Sequence, residues 1–178
     1  MGTRSTFALA PDAKGVHVTV LQADYHQFML SEGEWGDEPE QKTQERVCLI
    51  FEPRVSRVSV LTGIDTGLVH VEAMALDLPP AGVADGWQDV AEVSLHVADG
   101  PLVASGWGDD GQASDRLDGF GPGTYRIRIH ANGRDVAQAR SSLGPDETFM
   151  LIAWPAPHAP PVQLRATSST ARTETLTQ

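Results

Sequence analysis

Residues 125–131, Tyr-Arg-Ile-Arg-Ile-His-Ala, alternate apolar and polar side chains with a period of two, and the same alternation returns along much of the chain. Successive side chains of an extended strand point to opposite faces, whereas the apolar positions of a helix recur every three to four residues. The pattern therefore demands strands. "VHVTVLQ" puts Val16, Val18 and Val20 on one face, and "AEVSLHV" does the same with Ala91, Val93, Leu95 and Val97. "TYRIRIHA" turns Tyr125, Ile127, Ile129 and Ala131 to the core and leaves Arg126, Arg128 and His130 outward. "VCLIFE" and "TFMLIAW" are apolar on both faces and read as central strands or as strands covered on both sides.

Gly, Pro, Asn and Asp separate these runs. "GPGT" before Tyr125 bends the chain, and Asn132-Gly133 is a dipeptide whose positive φ angles suit a two-residue hairpin. Strands are expected near 16–22, 24–30, 47–52, 57–61, 68–74, 90–97, 101–105, 125–131 and 148–154. The fold class that follows is all-β: an antiparallel two-sheet β-sandwich with irregular acidic loops at 31–46 and 106–120. At 178 residues and 40% hydrophobic content one core suffices. The expected organisation is a flexible N-terminus over 1–14, the sandwich over 15–156, and a Pro then Ser/Thr-rich tail over 157–178. That tail is expected to be largely disordered apart from an edge strand at "VQLRA".

Charge narrows the function. Twenty-four acids against 13 bases give a net charge of −11, which repels phosphate backbones, so direct nucleic-acid binding is not expected and a macromolecular partner should be basic. No run approaches the ~20 apolar residues of a membrane span. The one cysteine, Cys48, sits among apolar neighbours and reads as a core thiol in a reducing, cytoplasmic setting. His17, His26, His70, His96, His130 and His158 are scattered without H-x-H or H-E-x-x-H spacing, so no metal and no cofactor are expected. There is no G-x-S-x-G elbow, and "GFGPG" leads into a strand, not a helix. No catalytic residue is assigned.

Two acidic segments stand out. Between Ser31 and Glu45 lie Glu32, Glu34, Asp37, Glu38, Glu40 and Glu45 against one base, Lys42, with Trp35 among them. A second segment carries Asp109, Asp110, Asp115 and Asp118 beside Trp107. An aromatic supplies contact area and the acids supply steering, so Glu32, Glu34, Trp35, Asp37, Glu38, Glu40, Trp107, Asp109 and Asp110 are the expected surface for a basic partner. The plainer alternative is a pair of solvated loops. Read as strand, Tyr25-His26-Gln27-Phe28 puts His26 and Phe28 on one face and Tyr25 and Gln27 on the other, with a buried Tyr or His favoured over a catalytic one.

"DYHQFML", "LIFEPRVSRVSVLTG" and "GPGTYRIRIHANG", in that order over roughly residues 16 to 154, resemble the landmarks of the competence protein ComJ (Nin) family. Tyr25, His26, Gln27 and Phe28 form the distinctive motif. The resemblance implies a small acidic bacterial protein that inhibits a DNA-entry nuclease. The chain departs from the pattern in an inserted-looking segment at 77–88 and in its Ser/Thr tail. It also carries Gly-Arg-Asp, then Glu and Trp-Pro, in "GRDVAQARSSLGPDETFMLIAWPAP". The reading that results is a non-catalytic inhibitor or immunity-type partner of a basic enzyme such as a nuclease. Its alternatives are a carboxylate/His-based small-ligand binder or hydrolase, and an assembly protein using a sheet edge.

Overall fold

The period-two runs form ten strands in two open sheets, in a computed structural model that describes residues 14–32, 47–51, 53–106, 113–114, 116–139 and 146–177. One sheet has the order β1 (Lys14–Ala23), β5 (Gly67–Ala75), β9 (Thr148–Pro155), β8 (Gly123–Asn132), β6 (Asp89–Val97) and β10 (Val162–Ala166). The other has the order β3 (Ile50–Phe51), β4 (Arg57–Leu61), β2 (Gln27–Glu32) and β7 (Leu102–Ser105). Two short helices, α1 (Arg134–Ala139) and α2 (Ser169–Thr177), complete the described elements. No helix among them is long and apolar enough to cross a membrane.

Apolar side chains of both sheets share one buried cluster. Phe28 of β2 meets Phe149 of β9 edge to face, with ring centroids 5.0 Å apart, a geometry that favours the positive ring edge over the negative face. Tyr125, Ile127 and Ile129 are buried, as their alternation predicts, and so are Phe149 and Leu151 of the continuous apolar run. β9 is a central strand, buried on both faces between β5 and β8.

Several expectations need correction. The sheets are not wholly antiparallel, because β5 and β9 pair in parallel with Val71 opposite Phe149. Parallel neighbours need a long crossover, and here the chain makes β6, β7 and β8 between them. Arg126, Arg128 and His130 leave the main core, as their phase requires, yet they are buried. The 77–88 segment covers two of them, Trp87 stacking obliquely on His130 at 5.4 Å and Arg128 donating to the Gly82 carbonyl, while Arg126 donates to the Ala159 and Pro160 carbonyls at 2.8 and 3.0 Å. Glu92 bridges the two arginines, at 3.0 Å to Arg126 and 2.7 Å to Arg128. Trp87 also packs on a second apolar cluster of Met74, Leu76, Met150, Ile152 and Trp154. Burial there pushes the His130 imidazole down to about 4.

"VCLIFE" supplies only the two-residue edge strand β3, since Leu49 turns the chain with φ at 74°. Asn132-Gly133 does not close a hairpin. Gly133, at φ 82°, leads into α1, and a Cβ there would lie 2.2 Å from the Asp146 carbonyl oxygen. Beyond residue 156 the edge strand expected at "VQLRA" forms as β10, pairing with β6, and α2 follows it where composition pointed to disorder. α2 sends only Ala171 into the main core among its described side chains and is otherwise held by polar contacts.

Candidate functional site

The chain crosses between the sheets at two adjacent corners. At the first, Asp24 and Gln27 exchange backbone hydrogen bonds of 3.1 Å around Tyr25 and His26, whose φ angles are 51° and 58°. Both central residues lie in the left-handed region, as a tight two-residue hairpin turn requires. Asn or Gly is the usual choice, so a tyrosine and a histidine there carry strain that the surroundings must hold. They do: the His26 amide donates to the Asp65 carbonyl at 2.9 Å, and the Thr62 amide donates to the His26 carbonyl at 2.8 Å. Thr66 Oγ1 adds a 2.7 Å bond to the Asp24 carboxylate. The motif is thus a corner and not the expected strand. It divides by role, with Tyr25 70% exposed at the tip and Phe28 fully buried. His26 is exposed, its Nε2 3.5 Å from Asp65 Oδ1.

The second corner, residues 62–66, rests on a buried carboxylate. Glu147 accepts the Gly63 amide at 2.8 and 3.0 Å and the Ile64 amide at 3.2 Å. Gly63 packs so closely that a Cβ would lie 2.0 Å from the Arg134 carbonyl oxygen. The Arg134 side chain is itself fully buried, with three carboxyls around it: Asp89 at 3.0 Å, Glu147 at 3.9 Å and Glu174, which accepts from Nη2. One positive charge faces three acids out of water. Burial pushes Glu147 up to about 7 against the pull of the Gly63 and Ile64 amides and Arg134. Burial also raises Glu174, against Arg134 and the Leu49 amide. The carboxylates in turn hold the guanidinium charged despite its own desolvation.

The same network docks α2. Ser168 Oγ donates to Asp89 at 2.5 Å and accepts the Ala171 amide at 2.9 Å, an N-cap contact. Asp135 accepts the Ser169 and Thr170 amides at 3.0 and 2.9 Å. Burial would raise the Asp135 carboxyl, but those two amides outweigh it and hold the group well below the usual carboxylate range. The first three amides of α2 therefore all have acceptors.

Between the first corner and α2 lies an open cleft of about 340 Å³. Tyr25, His26, Gln27 and Phe51 contribute from the strand side, Leu61, Thr62 and Gly63 from the second corner, and Thr170, Thr173 and Glu174 from α2. Thr62 and Thr170 are buried while Tyr25 and Phe51 are exposed, so hydroxyl-bearing residues sit at the base and aromatic rings at the rim. Glu174 brings one end of the ion cluster to the wall.

The proposed acidic partner surface is only partly within view. Glu34, Trp35, Asp37, Glu38, Glu40, Trp107, Asp109 and Asp110 lie outside the described residues. Glu32 ends β2, and its carboxylate accepts the amides of Ala98 (2.8 Å), Asp99 and Gly100. Burial raises its pKa, but the three amides outweigh it and hold the group below the usual range. Asp118 is nearly buried, bound to the Leu102 amide at 3.0 Å and to Arg116. Both acids serve local turns. Sequence reasoning noted the Gly-Arg-Asp run and the Glu that follows it but gave Arg134 and Glu147 no role, and it passed over Glu174. The signal available was the Gly133-Arg134-Asp135 run followed by Glu147, whose members prove to be neighbours of one cluster. Among the described residues no group of three His, Cys, Asp or Glu is placed to hold a metal ion.

The fold is similar to that of the crystal structure of ComJ, an inhibitor of the DNA-degrading activity of NucA from Bacillus subtilis. The TM-score is 0.57 over 81% of this chain and 98% of that one, at 14% identity. The chain is also similar to the protein described as Crocagin biosynthetic gene J, with a TM-score of 0.48, 15% identity, and coverage of 80% and 99%. At these identities the likeness is one of fold. No family model and no curated protein matches the chain.

Proposed function

We propose that the chain is a non-catalytic binding protein on a β-sandwich, of the inhibitor or immunity type, whose partner is a basic enzyme of the nuclease class. The observation that carries this reading is the ComJ-like fold, which spans nearly the whole of that inhibitor's chain. The net charge of −11 supports it independently, because an acidic protein steers toward the basic surface with which a nuclease meets DNA. The acids of 34–40 and 109–110 with Trp35 and Trp107 supply the steering charge and the anchors in this reading.

The test begins with capture of nucleases from the source organism at low salt on the immobilised chain, followed by a DNA-degradation assay on the captured enzyme. Stoichiometric loss of nuclease activity, relieved by high salt, is the expected result. If no nuclease is retained, or if a retained one degrades DNA at its normal rate with the chain bound, the reading fails.

A further inference from the structure

We infer that α2 is a releasable latch, docked while the carboxyl set around Arg134 keeps one proton and freed when the set loses it as the pH rises.

Three carboxyls share the one guanidinium of Arg134: Asp89 of β6, Glu147 before β9 and Glu174 of α2. Arg134, Asp89 and Glu147 are buried and Glu174 is mostly so. With every carboxyl ionised, the set would hold two uncompensated negative charges out of water, so it favours keeping a proton. The other titratable groups facing it supply no positive charge. Burial keeps the Cys48 thiol before β3 neutral, pushed up to about 12, and the Asp135 carboxylate of α1 is taken up by the Ser169 and Thr170 amides.

The three carboxyls are not held equally. Asp89 accepts the Thr167 and Ser168 amides at 3.0 and 3.1 Å, and Glu147 accepts those of Gly63 and Ile64. Glu174 accepts from Arg134 and from the Leu49 amide, but its Oε2 is shielded from water and has no hydrogen-bond partner. Such an orphaned oxygen costs less in a neutral carboxylic acid than in a carboxylate, so Glu174 gains most from reaching water once the proton is gone. Burial raises both Glu147 and Glu174, the direction that proton retention requires.

Little opposes the departure of α2. Only Ala171 among its described side chains enters the main core, and the remaining hold comes from the Ser168 and Asp135 contacts at its first turn. Backbone strain favours release. Leu49 is fully buried with φ at 74°, fixed by its amide on Glu174 and by the Leu61 amide on its carbonyl at 3.0 Å. Losing Glu174 removes one of these two restraints and lets the residue relax. It also withdraws Thr170, Thr173 and Glu174 from the cleft wall opposite Tyr25.

The test is amide hydrogen exchange on the full chain between about pH 5 and about pH 8, expressed as protection relative to the intrinsic rate at each pH. Protection of Leu49 and Ala171 should fall about tenfold per pH unit between about pH 5 and about pH 7, since one proton is lost on release. Ile127 and Leu151 should stay better protected throughout. Glu174→Gln removes the titrating charge from α2 and should flatten the slope. Should that variant fail to dock α2 at all, Glu147→Gln, which leaves α2 untouched, should flatten it instead. Asp135→Ala, which breaks a contact with no share in the proton, should lower protection at Leu49 and Ala171 at every pH and leave the slope unchanged. Protection that does not vary with pH, a slope that survives the glutamine variants, or exchange of Leu49 and Ala171 in step with Ile127 and Leu151 overturns the inference.

Discussion

Glu147, the residue before β9, holds the corner between β4 and β5 by accepting the Gly63 amide on both carboxylate oxygens, at 2.8 and 3.0 Å. This contact joins the two sheets at the end where the cleft lies, and it exists because residue 63 has no side chain. A Cβ at Gly63 would meet the Arg134 carbonyl oxygen at 2.0 Å, a backbone atom that cannot swing aside. Gly63→Ala should therefore cost about 1–3 kcal/mol or more in urea denaturation. A variant with unchanged stability would mean that this approach is looser than the geometry states.

The same carboxyl gives a pH signature. Folding raises Glu147 from an ordinary 4.5 to about 7, so between those values the folded chain binds more protons than the unfolded one. Its contribution is present below about 4.5 and lost as pH rises through about 7. His130 acts in the opposite sense, since its pKa falls from 6.5 to about 4 and its contribution is lost as pH drops through that window. The overall profile mixes the two, and a variant separates them. Glu147→Gln should gain on the wild type, on the order of 1–3 kcal/mol, between about pH 5 and about pH 8. A melting-temperature difference that stays constant with pH would show that the proton is not held by this cluster. Because Asp89 and Glu174 share Arg134 with Glu147, the change belongs to the set and not to one carboxyl.

Much of the fold was legible because period two is a local signal. Ile127 and Ile129 needed only their own alternation to be placed in the core, and Phe149 and Leu151 only the continuous apolar run around them. What was not legible depended on partners distant in sequence. Arg126, Arg128 and His130 look like a solvated face until residues 77–88 and 159–160 are known to pack against them. Tyr25 is a good strand former, and the left-handed turn it makes with His26 is held by Asp65 and Thr62, about forty residues away. The candidate site was hidden for the same reason. Arg134, Glu147 and Glu174 are ordinary surface residue types, and only burial around a single guanidinium makes them a cluster.

The C-terminal helix was the least legible element, since Ser-Thr-Ala-Arg-Thr-Glu-Thr-Leu-Thr has no strong apolar stripe. Its order comes from acceptors supplied elsewhere, above all Asp135 at its first turn. Asp135→Ala should thus free α2 without unfolding the sheets, at a cost of about 0.5–2 kcal/mol. Hydrogen exchange is the readout: the Ser169 and Thr170 amides should lose protection while those of Ile127 and Leu151 keep theirs. Equal loss at all four would mean that α2 is part of the global folding unit.

Glu32 and the acids that follow it separate steering from structure. Glu32 spends its carboxylate on the amides of Ala98, Asp99 and Gly100, so Glu32→Gln should cost stability, about 1 kcal/mol, and leave association with a captured nuclease unchanged. Replacing Glu34, Asp37, Glu38 and Glu40 together by their amides should do the opposite. Steering by exposed charge acts on the encounter, so the association rate should fall about tenfold at low salt and the salt dependence should flatten, with the melting temperature nearly unmoved. Trp35→Ala should instead speed dissociation, because an aromatic anchor acts through short-range burial. Stopped-flow association and dissociation rates at two salt concentrations distinguish these cases. An amide variant that keeps both the on-rate and the salt slope of the wild type would reduce residues 31–45 to a solvated connection.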